Sequence, residues 1–212
     1  FTIHIQDPKV SLKNFDIIIA PEHDNLKGDN VYSSKGAIHY ITETEIEKAK
    51  PYLIKKINSQ KVVSLILGGP NKYYSFDEAQ LIQIFNKIKS NFVSEGYKVI
   101  VIPSMRTPKA SIELAKKEMG SCGHVVNSVD KQAYLSAYAL ANYIVVTCDS
   151  TSMISEAATS GKPIFIAHMN AKRNNYRFKR FFDLFKKMGI TRDLGEKLES
   201  WTYNKHNEAE RI

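Results

Sequence analysis

The sequence predicts an α/β domain built on a parallel sheet with helices on both faces. Three observations predict it. Strand-like and helix-like stretches alternate in a steady rhythm from Lys61 onward. The strand-like runs are apolar at successive positions, as expected of parallel strands covered from both sides. The stretch from Tyr143 to Ala167 reads as a complete βαβ unit: β-branched and aromatic residues to Thr147, small polar residues, a short helix from Met153 to Thr159, then Gly161 and Pro163 before a second apolar run.

Taken in order, Thr2 to Ile5 and Phe15 to Ala20 read as strands that end in Gln6-Asp7-Pro8 and Pro21-Glu22-His23-Asp24. A loop holding Gly28 and Asn30 follows, and Gly36-Ala37-Ile38-His39 reads as a tight turn bringing His39 beside the earlier polar residues. Two or three strands do not make a doubly wound sheet. Residues 1–45 therefore read as the carboxyl-terminal remnant of an amino-terminal Rossmann-like domain, and the chain as a piece of a longer protein.

Thr42 and Glu45 have capping-box spacing and open a helix to about Ile57, with Pro51 as a kink or break. Residues 46–195 read as a second, complete Rossmann-like domain. Lys61 to Leu67 is its first strand and Gly68-Gly69-Pro70-Asn71 a turn, and Ser75 with Glu78 is a second capping box opening a helix to about Ser94. Strand Lys98 to Ile102, loop Pro103 to Thr107, a helix from Pro108 to about Met119, a short strand near His124 to Val126 and a further helix lead into the βαβ unit. Five parallel strands joined by right-handed crossovers result. Lys172 to Met188 makes a basic amphipathic helix with Phe178, Phe181, Phe182 and Phe185 on one stripe, read as core with membrane-surface contact as the alternative. Residues 196–212 read as a tail returning toward the first domain.

Composition narrows the function classes. With 43% hydrophobic and 25% charged residues the chain is that of an ordinary soluble protein, and no apolar run approaches the roughly 20 residues that span a bilayer. Cys122 and Cys148 lack the spacing of a redox pair or metal site and read as reduced structural thiols. The net charge of +8 comes chiefly from scattered lysines, and no nucleic-acid-binding motif accompanies it. A cytoplasmic protein that binds no nucleic acid is expected, with peripheral attachment to a membrane as an alternative; oligomeric state stays open.

Three loops should converge at the carboxyl edge of the sheet, where open α/β sheets bind ligands. Gly68 and Gly69 allow close backbone approach to a phosphate, Asn71 closes that turn, and Ser104, Arg106 and Thr107 follow the second strand, with Arg106 offering a planar fork for phosphate oxygens. Asp149, Ser150, Ser152, Met153 and Ser155 surround a helix start suited to a phosphate or sugar, and Glu156 can accept from sugar hydroxyls. The bland alternatives are that Ser152 is an N-cap and that Thr107-Pro108 simply begins a helix. The glycine turn matches neither the Walker nor the dinucleotide fingerprint, which lowers ATP and NAD as ligands. His23 is the expected general base, with Glu22 and Asp24, and less strongly Asp7 and His39, beside it. No metal site is expected, because no ligand spacing is present.

The ordered motifs Gln6-Asp7-Pro8, Pro21-Glu22-His23-Asp24, Gly36-Ala37-Ile38-His39, Leu67-Gly68-Gly69-Pro70-Asn71, Ser104-Met105-Arg106-Thr107-Pro108, Val146 to Ala157 and Leu198-Glu199-Ser200-Trp201-Thr202-Tyr203 together resemble the mitochondrial-fission "elongated mitochondria" family. The resemblance implies a GT-B-like fold, similar to two-domain glycosyltransferases and sugar-nucleotide epimerases. It further implies Glu156 on a ribose, Gly68, Gly69 and Arg106 on a diphosphate, and Ser150 to Ser155 on donor sugar or phosphate. The chain departs from the family at Met105, where an arginine is usual, and at Val129 to Tyr134, where Gly-Glu-Asn-Pro-Tyr is usual. The leading expectation is a glycosyltransferase using a UDP-sugar or similar nucleotide sugar as substrate, without a cofactor, and with a lipid among the conceivable acceptors. A non-catalytic adaptor recruiting membrane-remodelling partners and a sugar-nucleotide epimerase are the alternatives.

Overall fold

Three short strands, β1 (Ile3–Ile5), β2 (Ile17–Pro21) and β3 (Val31–Ser34), pair in parallel in that order in the computed structural model, which describes residues 1–195 and 197–212. Two helices follow, α1 (Glu43–Ala49) and α2 (Pro51–Ile57). The larger sheet is then built from β4 (Val62–Leu67), α3 (Glu78–Ile88), β5 (Lys98–Pro103), α4 (Lys109–Met119), β6 (Gly123–Val125), α5 (Lys131–Leu140) and β7 (Tyr143–Thr147). It continues through α6 (Thr151–Ala158), β8 (Ile164–Ala167), α7 (Tyr176–Lys187) and β9 (Thr191–Asp193), and the chain closes on α8 (Glu208–Arg211).

All six strands of the larger sheet are parallel, in the order β6-β5-β4-β7-β8-β9. The chain begins in the middle, moves out to one edge, returns and fills the other side. That is the doubly wound order, and its direction reverses between β4 and β7. Every residue of β4 and β7 is buried, because helices cover both faces. One face carries Phe85, Phe92, Met119 and Phe165; the other carries Ile46, Leu53, Tyr138, Ile154 and Phe181.

Several local expectations change. A sixth strand, β9, joins the expected five; Thr191-Arg192-Asp193 is too short and polar to announce itself. Val31–Ser34 is a strand where the sequence suggested a loop. Thr42 and Glu45 form the expected capping box and the helix does break at Pro51, which sits where a first-turn residue needs no N–H. The buried Ser136 hydroxyl of α5 accepts from Leu53 N (3.1 Å) at that new helix start. Ser75 does not cap α3: Asp77 accepts from Gln80 N, and Ser75 donates to Asp77. Likewise Ser150, not Ser152, caps α6 by accepting from Met153 N, and α4 starts at Lys109 with Pro108, not Thr107, at the cap position. The four phenylalanines of α7 are all buried in the core, so that stripe is not a membrane-facing one.

The tail is tied to the first sheet through one carboxylate. Glu208 is 1% exposed and accepts from Lys35 N (2.8 Å), while Arg211 donates to it through Nε and Nη2 (2.7 Å each) and also to Ser33 O. Burial acts to raise this carboxyl, but Arg211, His206 and the Lys35 N–H together bring it down to about 2. Glu208→Gln is expected to lower the unfolding free energy near neutrality by about 1–3 kcal/mol, the cost of losing charge-assisted hydrogen bonds. Since the folded value lies below the ordinary 4.5, this contribution is present above 4.5 and is lost as pH falls toward 2. Urea unfolding across that range should show the gap between wild type and variant closing.

Candidate functional site

The loops that leave β4 and β7 part in opposite directions, and a buried carboxylate bridges the gap between them. Asp149 is 2% exposed. Its Oδ2 accepts from Gly69 N (2.9 Å) and Arg106 Nη2 (2.8 Å), and its Oδ1 accepts from the Thr147 hydroxyl (2.7 Å). The Thr147 oxygen in turn accepts from Gly68 N (2.8 Å), and Arg106 Nη1 donates to Gly69 O (2.9 Å). Burial pushes the Asp149 carboxyl up, against the lowering pull of Gly69 N–H, Thr147 and Arg106. Asn71 donates to Asp149 O (3.0 Å) and accepts from Tyr73 N and Tyr74 N; Thr107 Oγ1 accepts from Ser104 N and shares its proton between the carbonyls of Leu67 and Gly68.

The two glycines serve this closure. A Cβ on Gly68 would lie 2.1 Å from Asp149 Oδ2, and one on Gly69 would lie 2.0 Å from Arg106 O. Their N–H groups are engaged by Thr147 and Asp149 rather than turned out for a phosphate.

In front of this knot lies a cavity of about 350 Å³. Met105, Val129, Tyr40, Ile41 and Met153 form apolar walls, and Ser104, Arg106, Lys131, Tyr134, Ser150 and Glu156 bring polar groups to it. Glu156 Oε2 accepts from the Tyr134 hydroxyl, which itself accepts from Tyr138 (2.6 Å). Burial raises the Glu156 carboxyl while the Tyr134 bond pulls the other way. Its Oε1 takes no hydrogen bond among the described residues. The cavity thus offers a half-engaged carboxylate, an arginine fork and a helix start within one apolar shell.

A second cavity, of about 260 Å³, separates the carboxyl ends of the small sheet from the start of α6 and is lined by Gln6, Pro21, His23, Ser34, Thr151, Ser152 and Arg177. His23 is 2% exposed, and neither ring nitrogen has a hydrogen-bond partner. Its Nε2 is 3.9 Å from Asp24 Oδ1, beyond hydrogen-bond reach, and the ring stands edge-on to Phe181. Burial drives the imidazole from 6.5 down to about 4, with Asp24 opposing and Arg177 and Arg180 assisting.

The residues expected to act together therefore fall into distinct groups. Ser104, Arg106, Ser150, Met153 and Glu156 line the larger cavity. Gly68, Gly69, Asn71, Thr107 and Asp149 form the scaffold behind it. Ser152 lines the His23 cavity, and Ser155 docks the segment after β3 by accepting from Ala37 N (3.0 Å), with His39 Nε2 3.3 Å from Ser155 O. Asp24 pairs with Arg177, Asp7 with Lys9, and Glu22 is exposed. Sequence reasoning missed Tyr134 as the partner of Glu156 and Tyr138 as the donor behind it. Their i, i+4 spacing shows that they share a helix face, but not that this face meets Glu156. Cys148 is buried, which pushes its thiol up to about 12. Among the described residues no group of three His, Cys, Asp or Glu side chains is placed to hold a metal, and no helix is long and apolar enough to cross a membrane.

The family model described as mitochondrial fission ELM1 matches residues 1–212. An uncharacterised protein of Rickettsia prowazekii (strain Madrid E) is 30% identical over 207 residues, covering 90% of this chain and 56% of its own length. Mitochondrial fission protein ELM1 of Arabidopsis thaliana is 26% identical over 241 aligned positions, covering 99% of this chain and 55% of the relative. The chain thus spans about half the length of the curated relatives it matches. Among solved structures, a co-structure of Staphylococcus aureus MnaA with UDP superposes with a TM-score of 0.55 at 15% identity, over 86% of this chain and 49% of that one. A structure described as a putative UDP-N-acetylglucosamine 2-epimerase from Listeria monocytogenes gives 0.51 at 15% identity, over 93% of this chain and 50% of that one. These likenesses establish a GT-B-like fold.

The buried imidazole makes stability depend on pH. His23 has a folded value near 4 and an ordinary value of 6.5, so the unfolded chain takes up the proton first and stability is lost as pH falls between them, by on the order of 3 kcal/mol at most. Urea unfolding of His23→Leu is expected to show a flatter pH dependence than wild type across that window.

Proposed function

The chain belongs to the mitochondrial fission ELM1 family, and on that premise we propose that it binds a sugar nucleotide at the switch point of its larger sheet and transfers the sugar from it. The observation that carries this reading is the convergence of Glu156, Arg106 and the start of α6 on one apolar-walled cavity between the ends of β4 and β7. The Staphylococcus aureus MnaA co-structure of similar fold holds UDP, which supports a nucleotide diphosphate as the ligand class.

In this reading the ribose hydroxyls donate to Glu156 Oε1, with Tyr134 holding the other carboxylate oxygen. The base lies against Met105, Val129 and Tyr40. Arg106 keeps three of its five N–H groups after engaging Asp149 and Gly69, and these, with the α6 amides, face the diphosphate. The sugar then points toward the His23 cavity, whose lining begins at Thr151, next to Ser150. Transfer proceeds by direct displacement: an acceptor oxygen forms its bond to the anomeric carbon as the carbon–oxygen bond to the diphosphate breaks. The departing electron pair goes to the diphosphate, where Arg106 and the helix start stabilise it. His23, neutral at physiological pH because burial holds it near 4, takes the acceptor's hydroxyl proton in this reading, a step that requires one of its ring nitrogens, buried in the structure, to be uncovered as the acceptor enters. A lipid acceptor would place the protein at a membrane surface.

Thermal-shift titration with UDP-, GDP- and CMP-sugars tests the binding half. A ligand at a hundred times its Kd should stabilise the fold by about 2.7 kcal/mol. Arg106→Ala and Glu156→Gln should each weaken affinity about tenfold or more. Affinity should also fall as pH drops through the raised Glu156 value, because only the carboxylate accepts from both ribose hydroxyls, and Glu156→Gln should lose that dependence. Mass spectrometry of products then separates transfer from epimerisation. Absence of a shift with every nucleotide would overturn the enzyme reading in favour of an adaptor.

A further inference from the structure

We propose that a third cavity, next to the His23 chamber, is a binding site for a phosphate ester and receives the phosphate of the acceptor. Its volume is about 260 Å³, and it shares Gln6 and Arg177 with the His23 cavity, so the two adjoin. Four cations, Lys9, Lys72, Arg177 and Arg180, and two carboxylates, Asp7 and Asp24, line it. The carboxylates are already engaged: Asp7 by Lys9 and Asp24 by Arg177. Lys72 and Arg180 are left with no carboxylate partner among the described residues.

Arg180 is positioned as well as charged. Its Nε and Nη2 both donate to His23 O (2.9 and 2.7 Å), which fixes the plane of the guanidinium and leaves Nη1 for a ligand. The same carbonyl belongs to the residue whose bare imidazole lines the adjoining chamber. Lys72 lies over the Tyr73 ring (5.1 Å to its centroid), and Arg173 adds a second cation over that ring (5.3 Å). Two unpaired cations of this kind in a concave site complement the oxygens of a phosphate, which Arg meets as a planar fork and Lys as a point charge. A phosphate held here would place a hydroxyl a few bonds away within the His23 chamber.

The acceptor role rests on the sugar-transfer reading, whereas the anion site itself does not. The phosphate could belong to a soluble ester or to a lipid headgroup, and both present the same oxygens. Isothermal titration calorimetry with glycerol 3-phosphate, with glycerol as the uncharged control, tests the soluble arm. Co-sedimentation with phosphatidylglycerol-containing vesicles, against pure phosphatidylcholine vesicles, tests the lipid arm. The proteins are wild type, the double variant Lys72→Gln/Arg180→Gln and Arg106→Ala, and each is also titrated with UDP. Both substituted cations of the double variant are exposed, and a thermal unfolding transition matching that of wild type is required of it before its binding is compared.

Binding of glycerol 3-phosphate or of the anionic vesicles by wild type, weakened at least tenfold in the double variant and unchanged in Arg106→Ala, is the expected result. Whichever arm responds identifies the source of the phosphate. Equal binding by the double variant, loss of binding in Arg106→Ala, or no binding in either arm would overturn the proposal. Failure of UDP to bind any of the proteins would remove the nucleotide reading and leave the anion site standing.

Discussion

One buried carboxylate holds the functional edge of this protein together. A doubly wound sheet produces a crevice wherever its strand order reverses, but the loops flanking that crevice diverge and need something to fix them. Asp149 does this by accepting from the Gly69 amide, the Thr147 hydroxyl and the Arg106 guanidinium at once. Taking that carboxylate out of water is costly, and its raised proton affinity records the cost. Three donors offset it, and the result is an arginine aimed by the fold rather than free on the surface. Gly68 and Gly69 belong to the same device, since any side chain there would occupy the space of Asp149 or of the Arg106 backbone.

The second constraint is how the small sheet meets the large one. Both sheets turn their carboxyl ends toward the same cleft, and the segment after β3 is clamped at two ends. Ser155 of α6 accepts from Ala37 N, and the passage is tight enough that a Cβ on Gly36 would lie 2.8 Å from the Ser155 hydroxyl. At the other end Glu208 and Arg211 of α8 hold Lys35 N and Ser33 O. The chambers around His23 and around Arg180 exist because these contacts set the distance between the sheets. Their polarity differs accordingly: one holds an imidazole with no partner, the other a surplus of cations.

Much of the fold was legible in the amino-acid sequence because it depends on local chemistry. Runs such as Val62 to Leu67 and Tyr143 to Thr147 are largely apolar without alternation, and their β-branched content and short length match a doubly covered parallel strand. Thr42-x-x-Glu45 is a reciprocal cap written in four residues. What stayed hidden depends on contacts between distant segments. Asp149, Gly69 and Arg106 were all singled out as ligand contacts, yet nothing local reveals that they bind one another. Tyr134 was visible as the tyrosine that closes an otherwise altered family motif, and its bond to Glu156 required two helices to be placed side by side. Ser75 and Asp77 illustrate a nearer ambiguity, where two capable caps lie two residues apart and the hydrogen bond to Gln80 N selects the second. β9 is short and polar at a sheet edge, so its pairing with β8 alone makes it a strand.

A double-mutant cycle between Arg106 and Asp149, read by urea unfolding, tests this account most directly. Asp149→Asn keeps the shape and an acceptor for Gly69 N, while Arg106→Met keeps much of the aliphatic stem without the fork. Coupling of about 1–3 kcal/mol between the two substitutions is predicted, as for charge-assisted hydrogen bonds that share a partner. Additive effects within about 0.3 kcal/mol would show that the two side chains act independently and would contradict the claim that this carboxylate organises the site.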